Sequence, residues 1–206
     1  GLKALEKDPI VKLGNSFRDI LMAEAAPVYE KLEQLLTRNY KIYMAALLEK
    51  EQDRRLYPDA NFTMRFTYGK VDKYYPKDGV EYRHYTTLSG IMDKSTEGFE
   101  DYVVPDKLRE LYETKDYGKY GVNGTMPVCF IASNHTSGGN SGSPVMDADG
   151  RLIGINFDRN WEGTMSDVHY DPSLCRNITV DIRYVLFIID KFAGAGYLLD
   201  EMDIVW

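Results

Sequence analysis

Hydrophobic positions in the first quarter of the chain fall at helical spacing. Ile10, Val11, Phe17, Ile20 and Leu21 form one apolar stripe; Val28, Leu32, Leu35, Leu36, Ile42, Tyr43, Ala46 and Leu47 form a second, with charged residues between them. Such stripes belong to amphipathic helices. Pro27 suits the first turn of a helix, where a missing N–H is tolerated. The pattern therefore predicts one helix over about 9–25, a second from Pro27 to about residue 55, and a helical hairpin between them.

After Tyr57-Pro58-Asp59 the period changes. Met64, Phe66 and Tyr68 alternate with Thr63, Arg65 and Thr67, and Val80 to Leu88 is a second strand-like run, reached through Tyr74, Tyr75, Pro76, Asp78 and Gly79. A short helix is expected from Pro105 to about Thr114. Further strands are expected at Pro127 to Ser133, Ser143 to Met146, Arg151 to Phe157 and Ile178 to Ile182. Asp147-Ala148-Asp149-Gly150 reads as a hairpin turn. From Arg183 the chain is expected to be helical until Gly194-Ala195-Gly196. The order predicts a helical unit over residues 1–57 and a mostly antiparallel β domain with a C-terminal helix over 58–206.

Composition narrows the classes. With 206 residues, 44% of them hydrophobic and 13% aromatic, the chain can bury a sizeable core, which excludes a disordered tail, a collagen-like rod and a coiled coil. A net charge of -7 without a Lys/Arg cluster gives no electrostatic support to binding nucleic acid or an anionic membrane surface. The apolar run Tyr184 to Ile189 is far short of the ~20 residues a spanning helix needs, so no membrane insertion is expected. Cys129 and Cys175 are too few for a zinc site or a disulfide scaffold, and read as buried thiols that pair only if the fold brings them together. The opening Gly1-Leu2-Lys3 has neither an initiator Met nor a leader, so the chain is expected to be a piece of a longer polypeptide.

Chemistry concentrates in Gly138-Gly139-Asn140-Ser141-Gly142-Ser143-Pro144. A nucleophilic serine needs a tight turn that exposes its hydroxyl and small neighbours that let backbone N–H groups point at a developing oxyanion. This stretch offers both, with Gly139 and Ser141 as N–H donors; a Gly/Ser-rich surface loop is the plainer reading of the same composition. A serine also needs an oriented base. Of the three histidines, His135 lies six residues upstream in the same loop, His84 sits in a strand and His169 follows the motif. All three read as structural or solvent-facing, so the base is expected to lie outside this chain.

The loop resembles the Gly-Asp-Ser-Gly-Gly-Pro segment of chymotrypsin-like proteases, with Asn140 and Ser143 in place of Asp and Gly. The resemblance extends through Ile155-Asn156-Phe157-Asp158-Arg159, Trp161 to Asp167, Asp171-Pro172, Cys175-Arg176-Asn177-Ile178 and Asp181 to Phe187. Together these runs resemble the C-terminal part of the bacterial dipeptidyl-peptidase 7/11 family, chymotrypsin-like serine exopeptidases whose two-barrel catalytic domain is interrupted by a helical cap. The resemblance implies a mainly β fold with α: one of two chymotrypsin-like barrels, preceded by a helical hairpin from the cap and ended by a C-terminal helix. It also implies that the first barrel, with the catalytic His and Asp, precedes Gly1, so that the isolated chain is inactive.

Residue by residue, the resemblance makes Ser141 the nucleophile and the N–H groups of Gly139 and Ser141 the oxyanion donors. The position eighteen residues after the serine separates the branches: Gly accompanies apolar side chains at the substrate's second residue, Arg accompanies Asp or Glu. Here it is Arg159, whose guanidinium can hold a carboxylate through two hydrogen bonds. Asp158 matches a residue that helps anchor the substrate's free α-amine; its plainer reading is an ion pair with Arg159 or Arg151. The family's other amine anchors, an Asn and a Trp, come from upstream segments and are not Asn160 or Trp161. Adjacent side chains of a regular strand face opposite ways, so the strand is expected to end or bulge near Phe157.

The implied activity is release of N-terminal dipeptides with Asp or Glu in second place, from peptides with a free N-terminus. No metal or organic cofactor is implied, and the family adds a homodimeric state and periplasmic or cell-surface placement in a Gram-negative bacterium. The competing readings are a non-catalytic peptide-binding module of protease-like fold, a dipeptidyl-peptidase with apolar preference, and an endopeptidase of the same fold.

Overall fold

The computed structural model describes residues 5–53, 56, 63–96 and 99–206. The chain divides into two compact units, Gly1–Asn61 and Phe62–Trp206. The boundary expected from Tyr57-Pro58-Asp59 lies outside the described residues.

The first unit is helical. Asp8 caps helix α1 (Pro9–Ile20), its Oδ1 accepting from the N–H groups of Ile10 and Val11 at 2.8 and 3.3 Å. The expected hairpin does not form. A five-residue π segment, Leu21–Ala25, leads without a turn into α2 (Ala26–Lys50), and Leu21, Ala25 and Ala26 all keep right-handed helical backbone angles. Proline lacks an N–H and its ring crowds the carbonyl four residues back, which normally breaks a helix. Here the Ala26 N–H reaches back five residues to the Leu21 carbonyl, and this wider turn takes Pro27 into the first turn of α2 with the helical path unbroken.

The second unit begins with an irregular stretch. The alternating Met64, Phe66 and Tyr68 do not form the expected strand. Alternation produces a strand only where one face is covered, and these three side chains stay exposed. A ladder begins only near residue 70, where Ser133 N–H donates to the Lys70 carbonyl at 2.9 Å and Val71 bridges to Ala132. Strands β1 (Tyr74–Lys77) and β2 (Val80–Tyr82) then form a separate hairpin.

The main sheet has five antiparallel strands. These are β3 (Tyr85–Thr87), β4 (Pro127–Ala132), β5 (Pro144–Met146), β6 (Leu152–Arg159) and β7 (Asn177–Asp181), in the spatial order β3-β4-β7-β6-β5. The expected closed barrel is not observed: among the described residues the sheet is open, because edge strands β3 and β5 are short and do not pair with each other. The Val80 to Leu88 run is likewise divided, into β2, β3 and the start of helix α3 (Leu88–Lys94). The β5–β6 turn is as expected, with Asp147 Oδ1 accepting from the N–H groups of Asp149 and Arg151, both at 2.9 Å.

Helices α3, α4 (Asp106–Glu113) and α5 (Ile182–Phe187) cover the core, which gathers Leu88, Leu108, Tyr120, Met126, Val128 and Phe187. Asp181 starts α5, accepting from Arg183 N–H at 2.9 Å and pairing with its guanidinium. Strand β7 buries Asn177, Thr179 and Asp181 and leaves Ile178 and Val180 half-buried, the reverse of what hydropathy suggests. The reason is in the neighbouring strand. At Gly154 an added Cβ would lie 2.4 Å from both Thr179 Cγ2 and the Val180 carbonyl, so only a bare backbone lets β6 approach β7 this closely.

Both cysteines are free thiols, Cys175 buried and Cys129 half-buried, which settles the question their spacing left open. Among the described residues no helix is long and apolar enough to cross a membrane.

Candidate active site

The serine loop hangs between β4 and β5 and is tied down at its base by the sheet. Gly142 N–H donates to the Asn156 carbonyl at 2.8 Å, and Asn156 N–H to the Ser143 carbonyl at 2.9 Å, so β6 holds both ends of the turn after Ser141. Gly142 takes φ +83°, a left-handed conformation that a side chain would strain. Asn140 folds the first half of the loop by accepting from Ser137 N–H at 2.9 Å, while its carbonyl accepts from Ser143 N–H at 3.0 Å. The asparagine that departs from the protease pattern is thus the brace of this turn.

Ser141 is exposed, and its Oγ donates to the Phe157 carbonyl at 3.3 Å. Among the described residues no histidine bonds it. His135 lies against the Tyr170 ring, centroids 4.8 Å apart, and donates from Nε2 to the Ser166 carbonyl at 2.9 Å; His84 packs on Tyr85. The N–H groups of Gly139 and Ser141 have no hydrogen-bond partner among the described residues. Two unbonded N–H donors and an accessible hydroxyl in one turn are among the parts that stabilisation of a tetrahedral oxyanion requires.

Under the loop runs a buried polar chain that the sequence did not reveal. Asn156 donates to the Asn140 carbonyl at 3.2 Å, and Asn177 donates to Asn156 Oδ1 at 2.9 Å and to Thr179 Oγ1 at 3.1 Å. Asn177 Oδ1 is buried without a partner among the described residues. These residues sit at strand positions where hydropathy calls for apolar side chains, and that mismatch is the only signal they leave in the sequence.

The bulge expected near Phe157 is present. Asn156 pairs with Thr179 but Asp158 already pairs with Ile178, leaving Phe157 as the extra residue. Beyond it, Asp158 and Arg159 part company. Asp158 is exposed, and among the described residues its side chain accepts only from the Arg159 backbone N–H, at 2.8 Å. Neither alternative ion pair forms, because Arg151 pairs with Asp147 and Asp149 while Arg159 pairs with Asp167.

Arg159 lines a shallow depression too tight to hold a water molecule, together with His135, Ser166, Tyr170, Cys175 and Arg176. Its Nη1 donates to Asp167 Oδ1 at 2.7 Å and to Ser166 Oγ at 2.8 Å, and its Nη2 to Asp167 Oδ2 at 2.6 Å. The hydrogen bonds from Arg159 hold the Asp167 carboxyl below the usual carboxylate range, and the same bonds raise the guanidinium. Ser166 and Asp167 close a 3-10 helix, Trp161–Asp167. Buried Arg176 anchors the floor by donating to the carbonyls of Asp72, Lys73, Pro172 and Cys175, with the Tyr74 ring 5.7 Å from its guanidinium carbon. Tyr74 donates to Glu162 Oε2 at 2.7 Å, and burial pushes its phenol up to about 12.

A model of the peptidase S46 family matches residues 2–204. The chain belongs to that family. Its relatives include the Asp/Glu-specific dipeptidyl-peptidase of Flavobacterium psychrophilum, 53% identical over 99% of this chain and 29% of that protein. Dipeptidyl-peptidase 7 of Phocaeicola vulgatus is 49% identical over 99% of this chain and 28% of its own length. Among solved structures, Porphyromonas endodontalis DPP11 in complex with the dipeptide Arg-Glu matches with a TM-score of 0.74 and 54% identity, over 77% of this chain and 23% of that one. This S46 chain therefore spans under a third of the length of the curated relatives it matches.

Within this S46 chain, Asn156→Ala removes the bond to the Asn140 carbonyl and the acceptor of buried Asn177. A buried polar group left partly unpaired costs about 1–3 kcal/mol. The expected outcome is a lower thermal unfolding midpoint for a full-length polypeptide carrying this substitution, checked by scanning fluorimetry; an unchanged midpoint would remove the polar chain from the loop's support.

Proposed function

We propose that this chain carries the nucleophile and the acidic-side-chain pocket of a serine dipeptidyl-peptidase that releases N-terminal dipeptides ending in Asp or Glu. The observation that carries the reading is the pair of unbonded N–H donors at Gly139 and Ser141 in one turn with the exposed Ser141 hydroxyl. The names of relatives add the preference: the Flavobacterium protein is called Asp/Glu-specific, and the solved Porphyromonas enzyme holds Arg-Glu or, in a second complex, Arg-Asp.

In this reading a histidine from another part of the full-length enzyme takes the Ser141 proton as Oγ adds to the carbonyl after the substrate's second residue. The new C–O bond puts negative charge on the carbonyl oxygen, which the two N–H groups receive. Collapse breaks the peptide bond, and the histidine returns its proton to the departing amine. Water then adds to the acyl-enzyme, freeing the dipeptide as a carboxylate and restoring Ser141. Arg159 takes the side-chain carboxylate of the second residue. Asp158, which makes no ion pair among the described residues, takes the α-ammonium and so sets the cut at two residues. A homodimeric parent in the periplasm or at the cell surface completes the reading.

The test is release of a fluorescent leaving group by the full-length enzyme from dipeptidyl substrates ending in Asp, Glu or Leu, with free and with blocked N-termini. Cleavage after Asp and Glu far faster than after Leu, and only with a free amine, is the expected result. Preference for Leu discards the acidic pocket and keeps the peptidase. Absence of all cleavage puts a non-catalytic peptide-binding module in its place.

A further inference from the structure

The hydrogen bonds of Arg159 are asymmetric, and the asymmetry has a use. A guanidinium has five N–H donors, arranged as an end fork of Nη1 and Nη2 and a side fork of Nε and Nη2. Asp167 occupies the end fork with both oxygens, and Ser166 Oγ takes the second Nη1 hydrogen. The Nε hydrogen and the second Nη2 hydrogen have no partner among the described residues, so the side fork is open.

We infer that Asp167, with Ser166, is a positioning residue that grips Arg159 by its end fork and thereby presents the side fork to the carboxylate of the substrate's second residue. The inference rests on the proposed role of Arg159 and goes beyond it. A lone arginine at a strand end samples many rotamers and loses that freedom on binding a ligand. Two hydrogen bonds donated to Asp167 and one to Ser166 remove the freedom beforehand. The gripping residues are themselves held: Ser166 is buried, and its carbonyl accepts from His135, whose ring lies against Tyr170. Asp167 is half-exposed, with 51% of its side chain accessible, so it acts through its geometry on Arg159 rather than by filling the depression.

The alternative is a gate, in which the Asp167 carboxylate occupies the place of the substrate's and must leave before binding. The two pictures predict opposite signs. In the full-length enzyme, Asp167→Ala is expected to lower kcat/KM for Glu-ending substrates by about 10- to 100-fold, mostly through KM, since misplacing a positioning group costs up to about that much. Leu-ending substrates and the rate at which a fluorophosphonate labels Ser141 are expected to stay within about twofold, because neither uses the guanidinium. Asp167→Asn, which keeps one acceptor oxygen, is expected to fall between wild type and Asp167→Ala. On an Arg159→Ala background, Asp167→Ala is expected to change nothing further.

A rise in kcat/KM for Glu-ending substrates in Asp167→Ala overturns positioning in favour of the gate. An unchanged value, or an equal loss for every substrate together with slower labelling, overturns it as well, the latter in favour of a purely structural pair. If Arg159→Ala itself leaves the ratio of Glu to Leu cleavage unchanged, the Arg159 reading fails and this inference with it. If that ratio collapses while Asp167→Ala is silent, only the inference fails.

Discussion

Ser141→Ala in the full-length enzyme is expected to lower kcat by about six decades, with KM for dipeptidyl substrates changed by no more than a few fold. The size follows from the chemistry. Removing Oγ leaves the open N–H groups of Gly139 and Ser141 in place, since both belong to the backbone, and the residual activity is what such donors and substrate binding supply without a nucleophile. Binding should survive because Arg159 and Asp158 do not touch Ser141; its one described side-chain bond is to the Phe157 carbonyl. Pre-steady-state assays distinguish the outcomes: wild type shows a burst of released leaving group as the acyl-enzyme forms, and the variant shows none. A variant retaining more than about a hundredth of wild-type kcat would mean that another group attacks the carbonyl.

The second large effect belongs to Arg159→Gly. Truncating one partner of a buried, hydrogen-bonded charge pair costs about 2–5 kcal/mol, so kcat/KM for Asp- and Glu-ending substrates is expected to fall roughly 30- to 5,000-fold. Leu-ending substrates should improve over the same range of assays, because the apolar side chain no longer faces a guanidinium that it cannot solvate. Arg159→Lys should recover little: an ammonium cannot donate through a planar fork, and it cannot be gripped by Asp167 and still offer a second fork. The reading needs the ratio of Glu to Leu cleavage to invert in Arg159→Gly; a ratio within a few fold of wild type would take Arg159 out of the pocket.

Arg159 also illustrates how unevenly the site could be read from the sequence. Its position eighteen residues after Ser141 and its capacity for two hydrogen bonds to a carboxylate were plain from the chain. So was the need for a bulge, since Asp158 and Arg159 could not otherwise serve one site from a regular strand, and Phe157 is the residue that provides it. Asp167 left no such trace. It lies eight residues further on, in a short 3-10 helix with no hydropathic period, and it meets Arg159 only because that helix folds back on the end of β6. Asn156, Asn177 and Thr179 were invisible for another reason: each looks like a poor choice for a buried strand position until the others are placed beside it.

The fold shows the same division. Turns and stops are local, and they were legible: Asp147 to Gly150 and the stop at Gly194 each depend on a few neighbouring residues and their backbone preferences. Pro27 misled because its preference is also local, whereas a π segment one turn earlier could take it up without ending the helix. Met64, Phe66 and Tyr68 misled because alternation states which face a strand would bury, not whether anything covers that face. Local signals along the chain thus determined the serine loop, the β5–β6 turn and the bulge, and resemblance of its runs gave the family, all of which arise from interactions over a few residues or from residue identity itself. The grip on Arg159, the buried amide chain under Ser141 and the close approach at Gly154 depend on pairs of groups brought together from distant parts of the chain, and only the tertiary structure decides those.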